Sequence, residues 1–560
     1  MLFGENANMA KNPKFKITPI GGLGEIGKNM TLFERDGEGF LIDCGIMFPA
    51  NDMHGVDYII PDYRWLEERD DIRLHGVAFT HGHEDHIGAV QHVIRSFPGI
   101  PLFATPLTAG LLQVKLKNAR LLKSAEIHTF NGGDTIQIGP FTLHSFHVCH
   151  SIPDCVGYGI ETPYGMIVHT GDYKFDNTPV HGRKTDYARL AGFAQRGVVL
   201  LMADSTNADK SGWTQSEAVI DGALDKVFRG AKGRIMVATF ASLVSRVQQV
   251  VNAARNHKRK VCITGYTMSE YAKIARKLGY LDVDDDMLVS IGQAQALPPH
   301  KVVFMVTGSQ GEPSAVLGKL AAGRHRQLDV RKGDTIILSS HPIPGNEEMV
   351  YRTINRLIER GADVIYDSIE AVHVSGHACQ EEMRLMLNLT QPRHLMPVHG
   401  EVRHLHLHAK LAADNGVAAE NIVRVENGTT VELSARGVKV GERQPGGYVF
   451  VDGSGVGDVG RAVIRDREIL AQDGFVLVSV NVDQRSGKLI DEPRIVSRGF
   501  VYLKDAEDFL DQIRDNITEV VNRSRRLNGK RKNLVEESVG KLIYNETKRR
   551  PMIFSIVNEV

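Results

Sequence analysis

The segment Thr80-His-Gly-His-Glu-Asp-His86 constrains this chain more than any other. His81, His83, Asp85 and His86 crowd directly behind Val77–Thr80, an apolar run of the kind that forms a short buried strand. Imidazole nitrogens and carboxylate oxygens are the donors that divalent cations such as Zn2+ take. On an extended loop His81 and His83 sit two apart and can face one cation. Asp85 and His86 lie at the turn into the next helix and can face a second. A solvated polar loop also tolerates histidine, but four such donors interleaved with glycine are rare outside metal sites. A fold that uses this run must hold the strand end rigid and bring further donors to it.

Candidates for those donors stand at other strand ends. His150 follows a strand expected over Phe141–Phe146, Asp172 closes His169-Thr-Gly-Asp172, and His399 lies in Pro397-Val-His-Gly-Glu401. Taken singly, each reads equally well as a hydrogen-bonded polar group or a cap. His147 and His169 read as packing or hydrogen-bonding residues.

The chain around them divides into three patterns. Up to about residue 215 it shows short strands with tight turns: Lys14–Ile20, then Met30–Glu34 and Gly39–Asp43 around Asp36-Gly37. Thr135–Ile138, Phe141–Phe146, Val156–Glu161 and Met166–His169 follow, with a helix over Ile87–Ser96. From residue 216 strands and helices alternate. A helix over Ser216–Arg229, announced by the capping box Thr214-x-x-Glu217, leads into strands at Arg234–Thr239, Lys260–Thr264, Val302–Val306, Thr335–Ser339 and Asp363–Tyr366. Helices are expected at Ser242–Asn256, Ser269–Leu278 and Glu347–Arg360. That alternation predicts a doubly wound parallel sheet. After Arg443-Gln-Pro-Gly-Gly447, which reads as a linker, a third pattern holds a strand near Phe475–Val482, a long helix near Asp505–Ser524 and a basic stretch at Asn528–Lys532.

Lys+Arg and Asp+Glu both number 67, so any phosphate-binding surface must be a local patch or a metal site. Five scattered cysteines without a Cys-x-x-Cys fit a reducing, cytoplasmic setting. The N-terminal stretch lacks the apolar core of a signal peptide, and no run of ~18 apolar residues predicts a membrane span.

In sequence order these donors, His-x-His-x-Asp-His, a distant His, a Thr-Gly-Asp and a late His, resemble the metallo-β-lactamase superfamily. The resemblance implies one metal held by His81, His83 and His150, a second by Asp85, His86 and His399, and Asp172 bridging them. Asp43, in Leu41-Ile-Asp-Cys-Gly45, matches an early aspartate that orients a ligand from behind. The α/β stretch between Asp172 and His399 is similar to the insertion of the β-CASP nucleases. Asp204, His377 and His399 match the three motifs of that group. Gly21-Gly-Leu-Gly-Glu-Ile-Gly-Lys-Asn29, Val306-Thr-Gly-Ser-Gln-Gly-Glu-Pro313, His373–Ala378, Arg498-Gly-Phe-Val-Tyr502 and Thr547-Lys-Arg-Arg-Pro-Met552 resemble its ribonuclease J family in particular.

The implied architecture is a metallo-β-lactamase αββα sandwich with an inserted doubly wound α/β (β-CASP) domain and a small α/β C-terminal domain. The expected boundaries are a tail at 1–13, the sandwich at 14–215 and 380–446, the insertion at 216–379, a linker at 447–463 and an oligomerisation domain at 464–560. The resemblance implies a ribonuclease using two divalent ions, Zn2+ or Mn2+, with 5′-to-3′ exonuclease action on 5′-monophosphate ends and endonuclease action. His377 would serve the leaving group, with Asp204 orienting it. His373, Val374, Ser375, Gly376 and His377 would hold nucleotide. In Phe240-Ala-Ser-Leu-Val-Ser-Arg246 the family leads one to expect Asn and His where Leu243 and Ser245 stand, a departure that bears on 5′-end preference. RNA, a homodimer or homotetramer, and other RNA-decay proteins are the implied partners. A small-molecule hydrolase would lack the insertion, and a scaffold paralogue would lack ligands. A DNA nuclease of the repair branch remains the alternative that no residue here excludes by recognising a 2′-hydroxyl.

Overall fold

The computed structural model describes residues 14–50, 52–343, 345–500, 507–523 and 531–560. They form two compact units. One is Ile59–Val449 with the described residues up to Phe48, and the other is Phe450–Val560 with residues 49–58.

The first unit is built on two facing sheets. The larger has eight strands in the order Gly437–Arg443, Thr429–Ser434, Phe15–Gly21, Met30–Arg35, Glu38–Ile42, Arg73–Ala78, Leu102–Ala104, Ile127–Thr129. The smaller has six: His394–Val398, Val198–Asp204, Gly165–His169, Val156–Thr162, Phe141–His147, Thr135–Ile138. Strands covered on one face alternate, as Thr135–Ile138 and Thr429–Ser434 do. Phe15, Phe33 and Phe40 of one sheet meet Phe141, Tyr158 and Met202 of the other in a single core. The Phe40 and Phe141 rings lie 4.9 Å apart across it. Each such ring contributes roughly 1.5–3 kcal/mol on burial.

Strands Val198–Asp204 and His394–Val398 are parallel neighbours, with Asp204 opposite Val398. The chain leaves the sheet after Asp204 and re-enters at His394, at the start of the neighbouring strand opposite Leu200, and the inserted domain lies between. That domain carries a five-stranded, wholly parallel sheet ordered Lys260–Ile263, Val302–Val306, Ile235–Ala238, Thr335–Leu338, Asp363–Ile365. Ile235–Ala238, Val302–Val306 and Thr335–Leu338 are buried at every position, which is why they read as unbroken apolar runs rather than alternating ones.

Three expectations shift. The helix expected over Ile87–Ser96 is two pieces, Glu84–Ile87 and Val90–Ser96, so Asp85 and His86 lie on a helical turn of their own. Helix Ser216–Arg229 runs instead from Val219 to Gly230, and the capping box does not form. Glu217 is instead drawn into a buried ion pair with Arg246 (2.8 Å), and the Thr214 amide donates to Glu382. The stretch expected as a linker holds strands Tyr448–Asp452 and Gly455–Val456, and residues 49–58 belong with the C-terminal unit.

In the second unit, Phe475–Val482 pairs with Arg494–Arg498 and runs parallel to Met552–Glu559. Its alternate residues Val476, Val478, Val480 and Val482 pack under helices Glu507–Arg523 and Arg531–Thr547. Val501 and Tyr502, and residues 528–530 of the basic stretch, lie outside the described residues. Among those described, no helix is long and apolar enough to cross a membrane.

Candidate active site

Every donor singled out from the sequence converges at one end of the sandwich, at the C-terminal ends of its strands. Strand Arg73–Ala78 delivers His81, and the helical turn that follows delivers Asp85 and His86. Close backbone packing fixes that turn: a Cβ on Gly45 would lie 1.5 Å from the Asp85 carbonyl oxygen, so only glycine fits there. The Asn29 amide donates to the Asp85 carbonyl and the Cys44 amide to that of His86. Asp43 and His399 both hold left-handed backbone, φ 60° and 51°, a strained state that tertiary contacts must maintain.

His81, His83 and His150 bring one nitrogen each to a common point. His83 Nδ1 lies 3.1 Å from His81 Nε2 and 3.1 Å from His150 Nε2. Tetrahedral Zn–N bonds would put such nitrogens roughly 3.3 Å apart. Asp85, His86, Asp172 and His399 form a second cluster. Asp85 Oδ2 is 3.3 Å from His399 Nε2 and 3.4 Å from His86 Nε2. Asp172 Oδ2 stands between the two clusters, 3.3 Å from His86 Nε2 and 3.7 Å from both His81 Nε2 and His150 Nε2.

The far ring nitrogens show which tautomers fit. His86 Nδ1–H donates to Asp43 Oδ2 at 2.8 Å. Thr80 Oγ donates to the same carboxylate (2.8 Å) and accepts from His81 Nδ1–H (3.0 Å). His150 Nδ1–H donates to the Gly376 carbonyl (2.8 Å). Thr206 Oγ donates to Asp204 (2.7 Å), leaving its oxygen to accept from His399 Nδ1–H (3.1 Å). With Nδ1 so engaged, all four rings direct Nε2 inward, the nitrogen that a metal ligand must present without its proton.

The electrostatics agree with a cation site. Burial holds His81 and His150 well below the ordinary imidazole range and pushes His83 down to about 4, so this trio is neutral. Burial opposes charge on His86 and His399 too, but the carboxylates prevail. Asp172, Asp85 and Asp43 hold His86 well above its usual value, and Asp172 with Asp204 brings His399 to about 10. Asp85 and Asp172 are held well below the carboxylate range by those histidines, against burial. A divalent cation among them would take the place of the protons.

Beside the clusters, His377 Nδ1–H donates to Asp204 Oδ2 at 2.7 Å. Asp204 also accepts from the Thr206 amide (2.9 Å), and His377 keeps it ionised against full burial. Asp172, Asp204, His377 and His399 make a third grouping able to hold a cation. Of the segment expected to bind nucleotide, Ser375 Oγ receives Asn207 Nδ2–H (2.8 Å) and the His377 amide (3.2 Å), leaving its own proton to donate. His373 Nδ1 is buried without a partner. The Val374 side chain is buried, and the Gly376 carbonyl is taken by His150, so neither offers those groups to a ligand. His169 is buried and accepts from the Gly171 amide, as a packing role requires.

Sequence reasoning passed over Thr80, Thr206 and Asn207, and it placed Gly376 among the nucleotide contacts rather than behind His150. A sequence gives no periodic signal for a hydroxyl or carbonyl that orients a ring, but Thr80 and Thr206 each sit next to, or two residues from, a candidate already named.

Four family descriptions match in chain order: "Beta-lactamase superfamily domain" over residues 40–197, "Ribonuclease J, beta-CASP domain" over 232–357, "Zn-dependent metallo-hydrolase RNA specificity domain" over 361–424 and "Ribonuclease J C-terminal domain" over 462–560. Ribonuclease J2 of Bacillus subtilis (strain 168) is 38% identical over 549 residues, spanning 97% of this chain and 98% of that one. The chain belongs to the ribonuclease J family. Ribonuclease J 2 of Staphylococcus aureus (strain NCTC 8325 / PS 47) is 36% identical across 98% of this chain and 99% of its own. Ribonuclease J 2 of Staphylococcus epidermidis (strain ATCC 12228 / FDA PCI 1200) is 37% identical with the same coverage. A solved protein of unknown function from Enterococcus faecalis V583 shares the fold, with a TM-score of 0.53 at 16% identity over 75% of this chain and all of that one. As a member of this family the chain is a metal-dependent ribonuclease with a metallo-β-lactamase domain, an inserted β-CASP domain and a ribonuclease J C-terminal domain.

Proposed function

We propose that this ribonuclease cuts RNA at a two-cation centre. His81, His83 and His150 would hold one ion and Asp85, His86 and His399 the other, with Asp172 placed between the two sets. The place of Asp172 Oδ2, 3.3 Å from His86 Nε2 and 3.7 Å from His81 and His150 Nε2, carries the reading. Zn2+ and Mn2+ both suit this donor set. When bound, such ions supply an activated water near neutral pH and offset charge on the phosphodiester.

The chain's own side chains do the remaining work. Asp204 accepts the Nδ1 proton of His377, so the other nitrogen carries a proton when the ring is charged and can give it to the departing 3′ oxygen. Attack in line with that oxygen leaves a 5′-phosphate and a 3′-hydroxyl. Ser375 Oγ and the unpartnered His373 nitrogen offer contacts to the 5′-monophosphate of the terminal nucleotide, which suits 5′-to-3′ trimming. Internal cleavage uses the same centre when no 5′ end is held. The C-terminal unit serves self-association as a dimer or tetramer. Val496, Leu477 and Phe554 stand in one row on the sheet face turned from its helices, with Val496 and Phe554 42% and 44% exposed.

Matched 5′-monophosphorylated RNA, 5′-triphosphorylated RNA and DNA oligonucleotides test the reading, with and without chelator and with Asp85→Ala. The expected result is metal-dependent release of mononucleotides from the monophosphorylated RNA, lost in the variant. Degradation of DNA with RNA left intact would move the protein to the DNA-repair branch.

A further inference from the structure

A cavity of about 520 Å3 lies in the first unit, lined by neither the candidate metal ligands nor the His373–His377 segment. The sandwich contributes His147, Asp154 and Arg183 to its wall, and the inserted domain contributes Ser245, Gln248 and Tyr280. Its volume falls in the range of small-molecule sites, roughly 300–1,000 Å3.

Two of these side chains are buried with a polar atom unserved. His147 is 2% exposed and Ser245 5%, yet His147 Nε2 and Ser245 Oγ have no hydrogen-bond partner among the described residues. Buried polar atoms are nearly always paired, because an unmade bond costs free energy. One unpaired atom is unremarkable, but two lining the same cavity from two domains point to a ligand that completes them.

The chemistry of the wall narrows that ligand. His147 Nδ1–H donates to the Lys184 carbonyl (2.9 Å), which leaves Nε2 as an acceptor. Burial, with the Arg183 charge, pushes its pKa down to about 3, so it stays an acceptor at neutral pH. Asp154, 6% exposed, adds a carboxylate, held by the Leu107 amide (3.2 Å) and the Tyr280 hydroxyl (2.8 Å). Arg183, whose Nη2 already donates to the Gly132 carbonyl, adds its remaining N–H donors. A ligand that suits both must present adjacent N–H groups on one edge and paired acceptors on another. Among nucleobases guanine does so, with N1–H and the N2 amino group on one edge and O6 with N7 on the other, the pair that arginine reads. Tyr280 offers a ring for stacking.

We propose that this cavity is a binding site for a guanine base, carried by the RNA or by a free guanine nucleotide. His147 and Asp154 bracket the loop that carries His150, so an occupant holds that loop from both ends. The site is separate from the cleavage centre, and its test does not depend on turnover.

Full-length protein is titrated with GMP and UMP by calorimetry. In parallel it is photocrosslinked with 6-thioguanosine monophosphate, or with RNA carrying one 6-thioguanosine, and the adducts are mapped by mass spectrometry. The expected result is at least tenfold tighter binding of GMP than UMP, with adducts in peptides spanning 147–154 or 245–252. Ser245→His and His147→Phe, each checked for an unchanged melting temperature, weaken binding at least tenfold. Adducts from RNA alone assign the base to the substrate strand, and adducts from the free nucleotide assign it to a soluble ligand. Equal binding of UMP, adducts confined to 373–377, or neither heat nor adduct would overturn the proposal.

Discussion

Replacing Asp204 by Asn tests how much of the reaction depends on one proton. Asp204 Oδ1 accepts the Thr206 amide (2.9 Å) and hydroxyl (2.7 Å), while Oδ2 accepts His377 Nδ1–H (2.7 Å). An asparagine has one acceptor oxygen. If it stays with the two Thr206 donors, its NH2 group faces His377 Nδ1. A neutral ring must then present an unprotonated Nδ1, and charging it for proton delivery would set N–H against N–H. Proton transfer by a positioned group is worth roughly 10²–10⁴ in rate, and a wrong tautomer at a histidine about 10⁴. We expect the single-turnover rate on 5′-monophosphorylated RNA to fall about 10³-fold, or about 4 kcal/mol, from 1.36 kcal/mol per decade. Bound metal, counted by mass spectrometry, stays unchanged. On thymidine 5′-(p-nitrophenyl phosphate), whose leaving group departs without a proton, the loss shrinks to tenfold or less. An equal loss on both substrates, or a lost metal, would refute the assignment of His377 to the leaving oxygen.

Other consequences follow from the same geometry. Asp43→Ala removes the acceptor behind His86, and metal titration should show affinity about 10–100-fold weaker with the fold intact. Arg246→Met removes the 2.8 Å partner of Glu217, leaving it Lys174 at 3.7 Å, and takes away one of the two donors on the Val372 carbonyl, which keeps Ser339 Oγ. Chemical denaturation should register a loss of about 3–5 kcal/mol, as for other broken buried pairs. His408 is fully buried and held down to about 4 by that burial, with Nδ1 on Ser205. Between its usual value and 4 the unfolded chain binds a proton that the folded one refuses. Stability therefore falls with pH across that window, by up to about 1.4 kcal/mol per unit, and His408→Gln should flatten the acid limb of a melting-temperature profile.

The sequence alone marked the run of candidate metal ligands. His81, His83, Asp85 and His86 fall within one strand end and one helical turn, and spacing that short fixes geometry locally. It also marked the parallel sheet of the insertion, because strands covered on both faces have to be apolar throughout. His150, Asp172 and His399 were candidates by their places at strand ends, and only the resemblance assigned them as ligands, since nothing local to a lone histidine tells a ligand from a packed ring. The Thr214-x-x-Glu217 signal misled because a buried Arg246 outbids a local cap for Glu217. Only the tertiary structure decided the tautomers, through Asp43, Thr80, Thr206 and the Gly376 carbonyl, and only it left His147 and Ser245 facing the same cavity. Apart from Thr80 on its neighbour His81, these are contacts across tens to hundreds of residues, made by groups whose identity carries no periodicity, so their pairing exists only once the two sheets and the inserted domain have packed.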